Sequence, residues 1–305
     1  MAGRPAILKA ANLPEKSIAE LEAVFEVLTL PEDDREAARA LQTAANRIRG
    51  IAVRKTIIDK ALIDSLPALE IIASYSAGLE NVDVAHARAK EIVVTNTSHI
   101  LAGEVANLVV GQAIALTRDL LNADRFVRAG KWTSQPYSLT RSLAGMHVGI
   151  VGFGHIGSAA ASRFETLGAK VSYTGPARKP VANRFYDTVL SLAEDVEMLV
   201  VTCPLTPRTR GLVDAGILSA LGNAAYLINV SRGPIVDEAA LIACLAQNGI
   251  AGAALDVFAD EPNVPEALLT DPKVILSPHI GSGTVETRQK MADAMVASLV
   301  ERLLG

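Results

Sequence analysis

Cysteine is nearly absent from this chain: Cys203 and Cys244 are the only two in 305 residues. Two thiols without metal-ligand spacing suggest neither a disulfide framework nor a zinc site, and they point to a reducing compartment. Aromatic residues make up only 4%, so the core has to be built from Val, Ile, Leu and Ala. Neither sign of charge dominates. The 29 basic and 33 acidic side chains leave a net charge of −4, without the basic footprint of a nucleic-acid binder. No apolar run reaches the length expected of a membrane span, and "MAGRPAILKAANLPEKS" at the N-terminus is too weakly apolar for a signal peptide. These absences lead to the expectation of a cytoplasmic globular protein whose partners are neither nucleic acid nor membrane. A further absence is local. Between Ala169 and Tyr186 there is no Asp or Glu, while Lys170, Arg178, Lys179 and Arg184 are basic.

What is present is an alternation of short apolar runs with longer amphipathic stretches. "PAILKA", "FEVLTL", "IRGIAV", "LEIIASYS" and "EIVVTNT" read as five buried strands, with helical segments over Glu15–Val24, Glu32–Arg47 and Asp59–Ser65. One long helical run follows from Leu101 to Arg128. Strands resume in "MHVGIVG", "AKVSYT", "VEMLVVT", "AAYLINV" and "IAGAALDV", and a last helix runs from about Val285 to Leu304. Near-continuous apolar strands separated by helices predict parallel sheets covered on both faces. The fold class expected is α/β, with two doubly wound parallel-sheet domains in series.

Gly152, Gly154 and Gly157 form a G-x-G-x-x-G directly after a strand and before a helix. The turn is tight, the backbone has to approach a pyrophosphate, and the helix has to pack close on the strand. The helix N-terminus then offers N–H groups and partial positive charge to phosphate. Because strand, helix and next strand fall where a βαβ unit needs them, the turn predicts dinucleotide binding. The His155 imidazole reads as solvent-facing rather than as a phosphate ligand. In such a unit the second strand ends in an acid that binds the ribose of NAD. Here that position falls at or beside Thr174. Without a carboxylate to repel an added phosphate, and with Arg178 and Lys179 just beyond, NADP(H) is the preferred cofactor and NAD(H) a possible one.

His279 stands at a strand end in a glycine-rich loop, after "KVILSP". Arg232 ends another strand in "INVSRGPIVDE", and Asp256 and Glu261 follow a third in "ALDVFADEP". Strand carboxyl ends are where open α/β sheets bind ligands. An arginine clamps a carboxylate through two hydrogen bonds, and a carboxylate beside histidine orients the ring and favours its protonated form.

At these residues the sequence resembles the D-isomer-specific 2-hydroxyacid dehydrogenases, through "GFGHIG", "CPLTPRTRGLV", "LINVSRGPIVDEAAL", "ALDVFADEP" and "SPHIGSGTVETR". Within that family it is most similar to glyoxylate/hydroxypyruvate reductases, including the plant hydroxyphenylpyruvate reductase type. The resemblance implies a Rossmann nucleotide domain, residues 99–283, inserted into a flavodoxin-like substrate domain, residues 1–98 completed by 284–305. It implies Arg232 as substrate clamp, Glu261 as orienter and His279 as general acid in the reduction of a small 2-oxo acid. It puts the substrate carboxylate on backbone amides at Ala77 and Gly78. Besides the glycines, it assigns cofactor contacts to His155, Ile156, Cys203, Pro204, Thr209, Val230, Asp256 and Gly281. It also implies a homodimer through about 101–130. Two places depart from the family pattern. Arg54 replaces a small residue and reads either as a second carboxylate contact or as a solvated charge. His99 and Asn107 stand where acids often occur.

Overall fold

The computed structural model describes residues 4–30 and 34–305. The chain divides into two compact units, Met1–Leu101 with Thr284–Gly305, and Ala102–Gly283. In the first, strands β1 (Ala6–Ala10), β2 (Glu26–Thr29), β3 (Ile48–Val53), β4 (Ile71–Ser74) and β5 (Val93–Thr95) form an all-parallel sheet in the order β2-β1-β3-β4-β5. This is the flavodoxin-like strand order. The helix expected from Glu32 is observed over Asp34–Ala44, and Glu32 itself lies outside the described residues. The final helix, Val285–Leu304, lies against this sheet with Leu299 and Leu303 buried. A Cβ on Gly50 of β3 would fall 2.9 Å from Leu299 Cδ2, so glycine there is what lets the helix approach. Each such buried leucine contributes about 1.5–3 kcal/mol.

The second unit carries β6 (His147–Val151), β7 (Lys170–Thr174), β8 (Arg184–Tyr186), β9 (Met198–Val201), β10 (Tyr226–Asn229), β11 (Gly252–Leu255) and β12 (Val274–Leu276). They are parallel, in the order β12-β11-β10-β9-β6-β7-β8. That is the doubly wound order of dinucleotide-binding sheets, extended by one strand. β9, β10 and β11 are buried at every position, which explains sequences that are apolar but for Asn229 at the end of β10. The strand β8 was not anticipated; three residues are too few for a periodic signal.

Two expectations need correction. The run Leu101–Arg128 is not one helix but two, Ser98–Thr117 and Leu120–Arg128. The break lies at Asp119, whose φ of 49° is left-handed. Its carboxylate accepts hydrogen bonds from Tyr137 Oη at 2.5 Å and Asn122 Nδ2 at 2.7 Å. Asp tolerates this conformation better than most residues, and partners 3 and 18 residues away hold it there. Second, Ser98–Thr117 is long and apolar enough to cross a membrane by length and composition. Half of its most apolar stretch is buried inside the chain, as in a core helix.

Candidate active site

The glycine turn separates glycines that the fold demands from one that it does not. Gly152 has φ 94°, and a Cβ there would lie 2.6 Å from Cys203 Cα. A Cβ on Gly157 would fall 2.2 Å from the Gly152 carbonyl oxygen. Gly154 is different. Its φ of −88° suits any residue, and nothing lies within 4 Å of where its Cβ would be. It caps the helix His155–Thr166, whose first-turn N–H groups have no intrahelical partner. An uncrowded backbone at a helix N-terminus fits a pyrophosphate, so the residues present accept a dinucleotide. Thr202 braces the turn by donating Oγ1 to the Gly152 carbonyl at 2.6 Å. That contact had no signature in the sequence.

Beside the turn, Thr174 ends β7 with its side chain buried, and its carbonyl accepts the Gly152 N–H at 2.9 Å. Thr174 therefore meets the turn through its backbone. The loop beyond is anchored on Tyr173, whose hydroxyl oxygen accepts the Lys179 N–H at 2.6 Å. Phe153 covers the Tyr173 ring at 4.2 Å. Arg178 and Lys179 stand exposed on this loop, and His155 and Pro204 are also exposed. Cys203 and Val230 are buried. Burial pushes the Cys203 thiol up to about 11, so it packs as a core side chain and not as a nucleophile. Thr209 Oγ1 donates to the Pro204 carbonyl at 2.7 Å and closes that loop on itself.

The carboxyl ends of the adjacent strands β10, β11 and β12 bring Arg232, Asp256, Glu261 and His279 to one edge of the sheet. Arg232 caps the short turn Gly233–Ile235. Asn229 moulds it, donating to the Arg232 carbonyl at 3.1 Å and accepting the Ser231 N–H at 3.1 Å. A Cβ on Gly233 would strike the Phe258 carbonyl carbon at 1.9 Å, so this turn packs directly on the segment between Asp256 and Glu261.

Asp256 is 1% exposed. Its carboxylate accepts Ser277 Oγ at 2.6 Å, Ile280 N at 2.9 Å and Gly281 N at 2.8 Å. Its carbonyl accepts the His279 N–H at 2.8 Å. A single buried acid thus shapes the loop that carries His279, whose φ of 53° is held by those bonds. The His279 Nδ1 lies 2.8 Å from Glu261 Oε2 and 3.1 Å from Oε1, while the side chain remains 45% exposed. An ionised carboxylate only accepts, so Nδ1 carries its proton and Nε2 is the atom left to exchange one.

In the first unit, the loop Ser76–Gly78 is held through its carbonyls. Ser76 Oγ donates to the Gly78 carbonyl at 2.6 Å and Asn96 Nδ2 to the Ala77 carbonyl at 3.1 Å. Among the described residues the N–H groups of Ala77 and Gly78 donate to no other group. Successive amides of this kind form an anion-binding concavity. Arg54 follows β3 directly, with its guanidinium 5.8 Å from the Tyr75 ring centroid. His99 is exposed, and Asn107 accepts Arg163 Nε at 2.7 Å, tying two helices of the second unit together.

Residues 110–281 match the family model described as D-isomer specific 2-hydroxyacid dehydrogenase, NAD binding domain. The chain is 44% identical to a glyoxylate/hydroxypyruvate reductase A of Arabidopsis thaliana, over 94% of this chain and 92% of the relative. It is also 44% identical to the hydroxyphenylpyruvate reductase of Plectranthus scutellarioides, over 81% and 79%. Among solved structures it is similar to the NADPH-dependent glyoxylate/hydroxypyruvate reductase of Sinorhizobium meliloti in complex with NADP and malonate. That match has a TM-score of 0.87 and 39% identity, covering 98% of this chain and 94% of the other.

Proposed function

This chain belongs to the D-isomer-specific 2-hydroxyacid dehydrogenase family, and we propose that it reduces a small glyoxylate- or hydroxypyruvate-like 2-oxo acid to the (R)-2-hydroxy acid with NADPH. It is an oxidoreductase, as its relatives are. The observation that carries the reading is the His279–Glu261 pair on the same sheet edge as Arg232. Gly152, Gly154, Gly157 and the start of the following helix would hold the dinucleotide, which when bound supplies a hydride for the substrate's carbonyl carbon. Arg232 holds the acid and stabilises the negative charge that develops on the carbonyl oxygen. His279 passes its Nε2 proton to that oxygen. Hydride and proton together convert the carbonyl to the alcohol. Glu261 keeps the ring oriented throughout.

NADPH is favoured over NADH because no acid ends β7 and the exposed Arg178 and Lys179 lie on a loop tied to Tyr173. The NADPH-dependent Sinorhizobium relative supports the same choice. The hydroxyphenylpyruvate reductase relative keeps an aromatic 2-oxo acid as a second substrate reading. The assembly that accompanies this reading is a homodimer. The proposed contact runs through about 101–130, where Leu120, Leu121 and Val127 are exposed, with Trp132 and Leu139 exposed just beyond it.

The test is kcat/KM over a panel of 2-oxo acids with each reduced cofactor, in the parent and in Arg178→Ala. Preference for NADPH by about tenfold or more is expected. A preference for NADH would refute the cofactor assignment, and no turnover of any 2-oxo acid would refute the reaction.

A further inference from the structure

Arg54 and Arg288 lie over one tyrosine. Arg54 follows β3 and Tyr75 follows β4, so both stand at the carboxyl ends of adjacent parallel strands. That is the edge at which open α/β sheets take ligands. The Arg54 guanidinium carbon is 5.8 Å from the Tyr75 ring centroid and that of Arg288 is 6.0 Å. Tyr75 is buried, and its hydroxyl donates to the Arg288 carbonyl at 2.9 Å. The hydroxyl is thus engaged in fixing the ring, whose faces offer weak attraction to both cations.

Two positive charges held at one ring repel each other, and among the described residues neither has an ion-pair partner. Arg288 also sits in the first turns of the helix Val285–Leu304, where the helix dipole disfavours a cation. Glu286 of the same turn is exposed and makes no ion pair with it. Burial first, and the charge of Arg54 second, hold the Arg288 guanidinium below its ordinary proton affinity. The sequence continues from Tyr75 straight into the Ala77 and Gly78 amides. The two guanidinium groups and these amides all favour a negative partner, and what would relieve the repulsion is an anion. Guanidinium groups meet carboxylate and phosphate through paired N–H donors.

We propose that Arg54 and Arg288, both set beside the Tyr75 ring, form an anion site in the first unit that takes a carboxylate or phosphate group. The group is either part of the substrate, in which case the site selects 2-oxo acids with a second anionic group and rests on the proposed reaction, or a free anion.

Inorganic phosphate is titrated calorimetrically into the full chain at constant ionic strength, with NADP+ saturating so that the glycine turn is filled. Saturable binding is expected in the parent and in His279→Gln. Arg54→Gln and Arg288→Gln should each weaken it about tenfold or more, with partial recovery in Arg54→Lys. Arg54 lies outside any strand or helix, so Arg54→Gln keeps the test valid if Arg288→Gln fails to fold. No saturable binding in the parent, or unchanged binding in Arg54→Gln, overturns the site. Arg54-dependent inhibition by phosphate that competes with the 2-oxo acid assigns the group to the substrate; Arg54-dependent inhibition that does not compete assigns it to a free anion. Phosphate binding in a chain that turns over no 2-oxo acid would leave this site standing and remove the proposed reaction.

Discussion

Glu261 accepts from His279 Nδ1 at 2.8 Å, although the two residues are 18 positions apart on separate loops. The ring is placed by this bond and by the backbone of its own loop, which Asp256 holds from beneath. Replacing His279 with Gln should lower kcat by about 10²–10⁴-fold, the usual scale of general acid catalysis. The dissociation constant for NADPH should stay within about twofold, since no glycine of the turn is touched. Glu261→Gln should lower kcat less, because the ring is still packed but less firmly oriented. Stopped-flow turnover and fluorescence titration read the two quantities separately. Near-normal turnover in His279→Gln would end the assignment.

Gly154 and Gly157 should respond oppositely to an added methyl group. Gly154→Ala meets open space at an ordinary φ, so thermal stability should change by less than about 0.5 kcal/mol. Its NADPH affinity should nevertheless fall about tenfold, because the methyl group occupies space left for the pyrophosphate. Gly157→Ala forces a 2.2 Å contact with the Gly152 carbonyl oxygen and should destabilise the fold by about 1–3 kcal/mol. Calorimetric melting of both apo variants is the measurement. Equal destabilisation of the two would contradict the division of roles.

Trp132 is 67% exposed and Leu139 is fully exposed. Both lie close in sequence to the helix Leu120–Arg128. An isolated chain gains nothing from such exposure, whereas a two-fold interface would cover it. The parent is expected to show twice the chain mass by light scattering at micromolar concentration. Trp132→Glu with Leu139→Glu should halve that mass and leave the circular dichroism unchanged. A parent that is already monomeric would count against the dimer.

Cys203 gives the fold an alkaline limit. Its thiol is raised from 9.0 to about 11 by burial. Below pH 9 the thiol is protonated in folded and unfolded chains alike, and there is no penalty. As pH rises from 9 towards 11 the unfolded chain releases the proton and the folded chain keeps it, so stability falls. Two pH units of this kind amount to about 2–3 kcal/mol. Cys203→Ala should be less stable at neutral pH because it leaves a small cavity, yet lose less on going to alkaline pH. Denaturant midpoints at several pH values would reveal the shallower slope, and parallel curves for the two proteins would show that the thiol does not carry the effect.

Much of this molecule is already present in local sequence. Apolar runs such as "MLVV" and "GAAL" have to be strands buried on both faces, because a segment with no polar side needs cover on both. The spacing of Gly152, Gly154 and Gly157, set between an apolar run and a helical stretch, marks a strand–turn–helix. Arg232, Glu261 and His279 could be found because each stands just past such a strand. The tertiary structure decided what depends on partners distant in the chain. It broke the long helix at Asp119, where Tyr137 and Asn122 stabilise a left-handed residue. It made Asp256 the support of the His279 loop, and it separated Gly154 from its neighbours by what each would touch. Tyr75 and Arg288, 213 residues apart, share a ring and a hydrogen bond only because the last helix returns to the first sheet. Periodicity reports which face of an element is buried, and carries no information about which distant residue will meet it there.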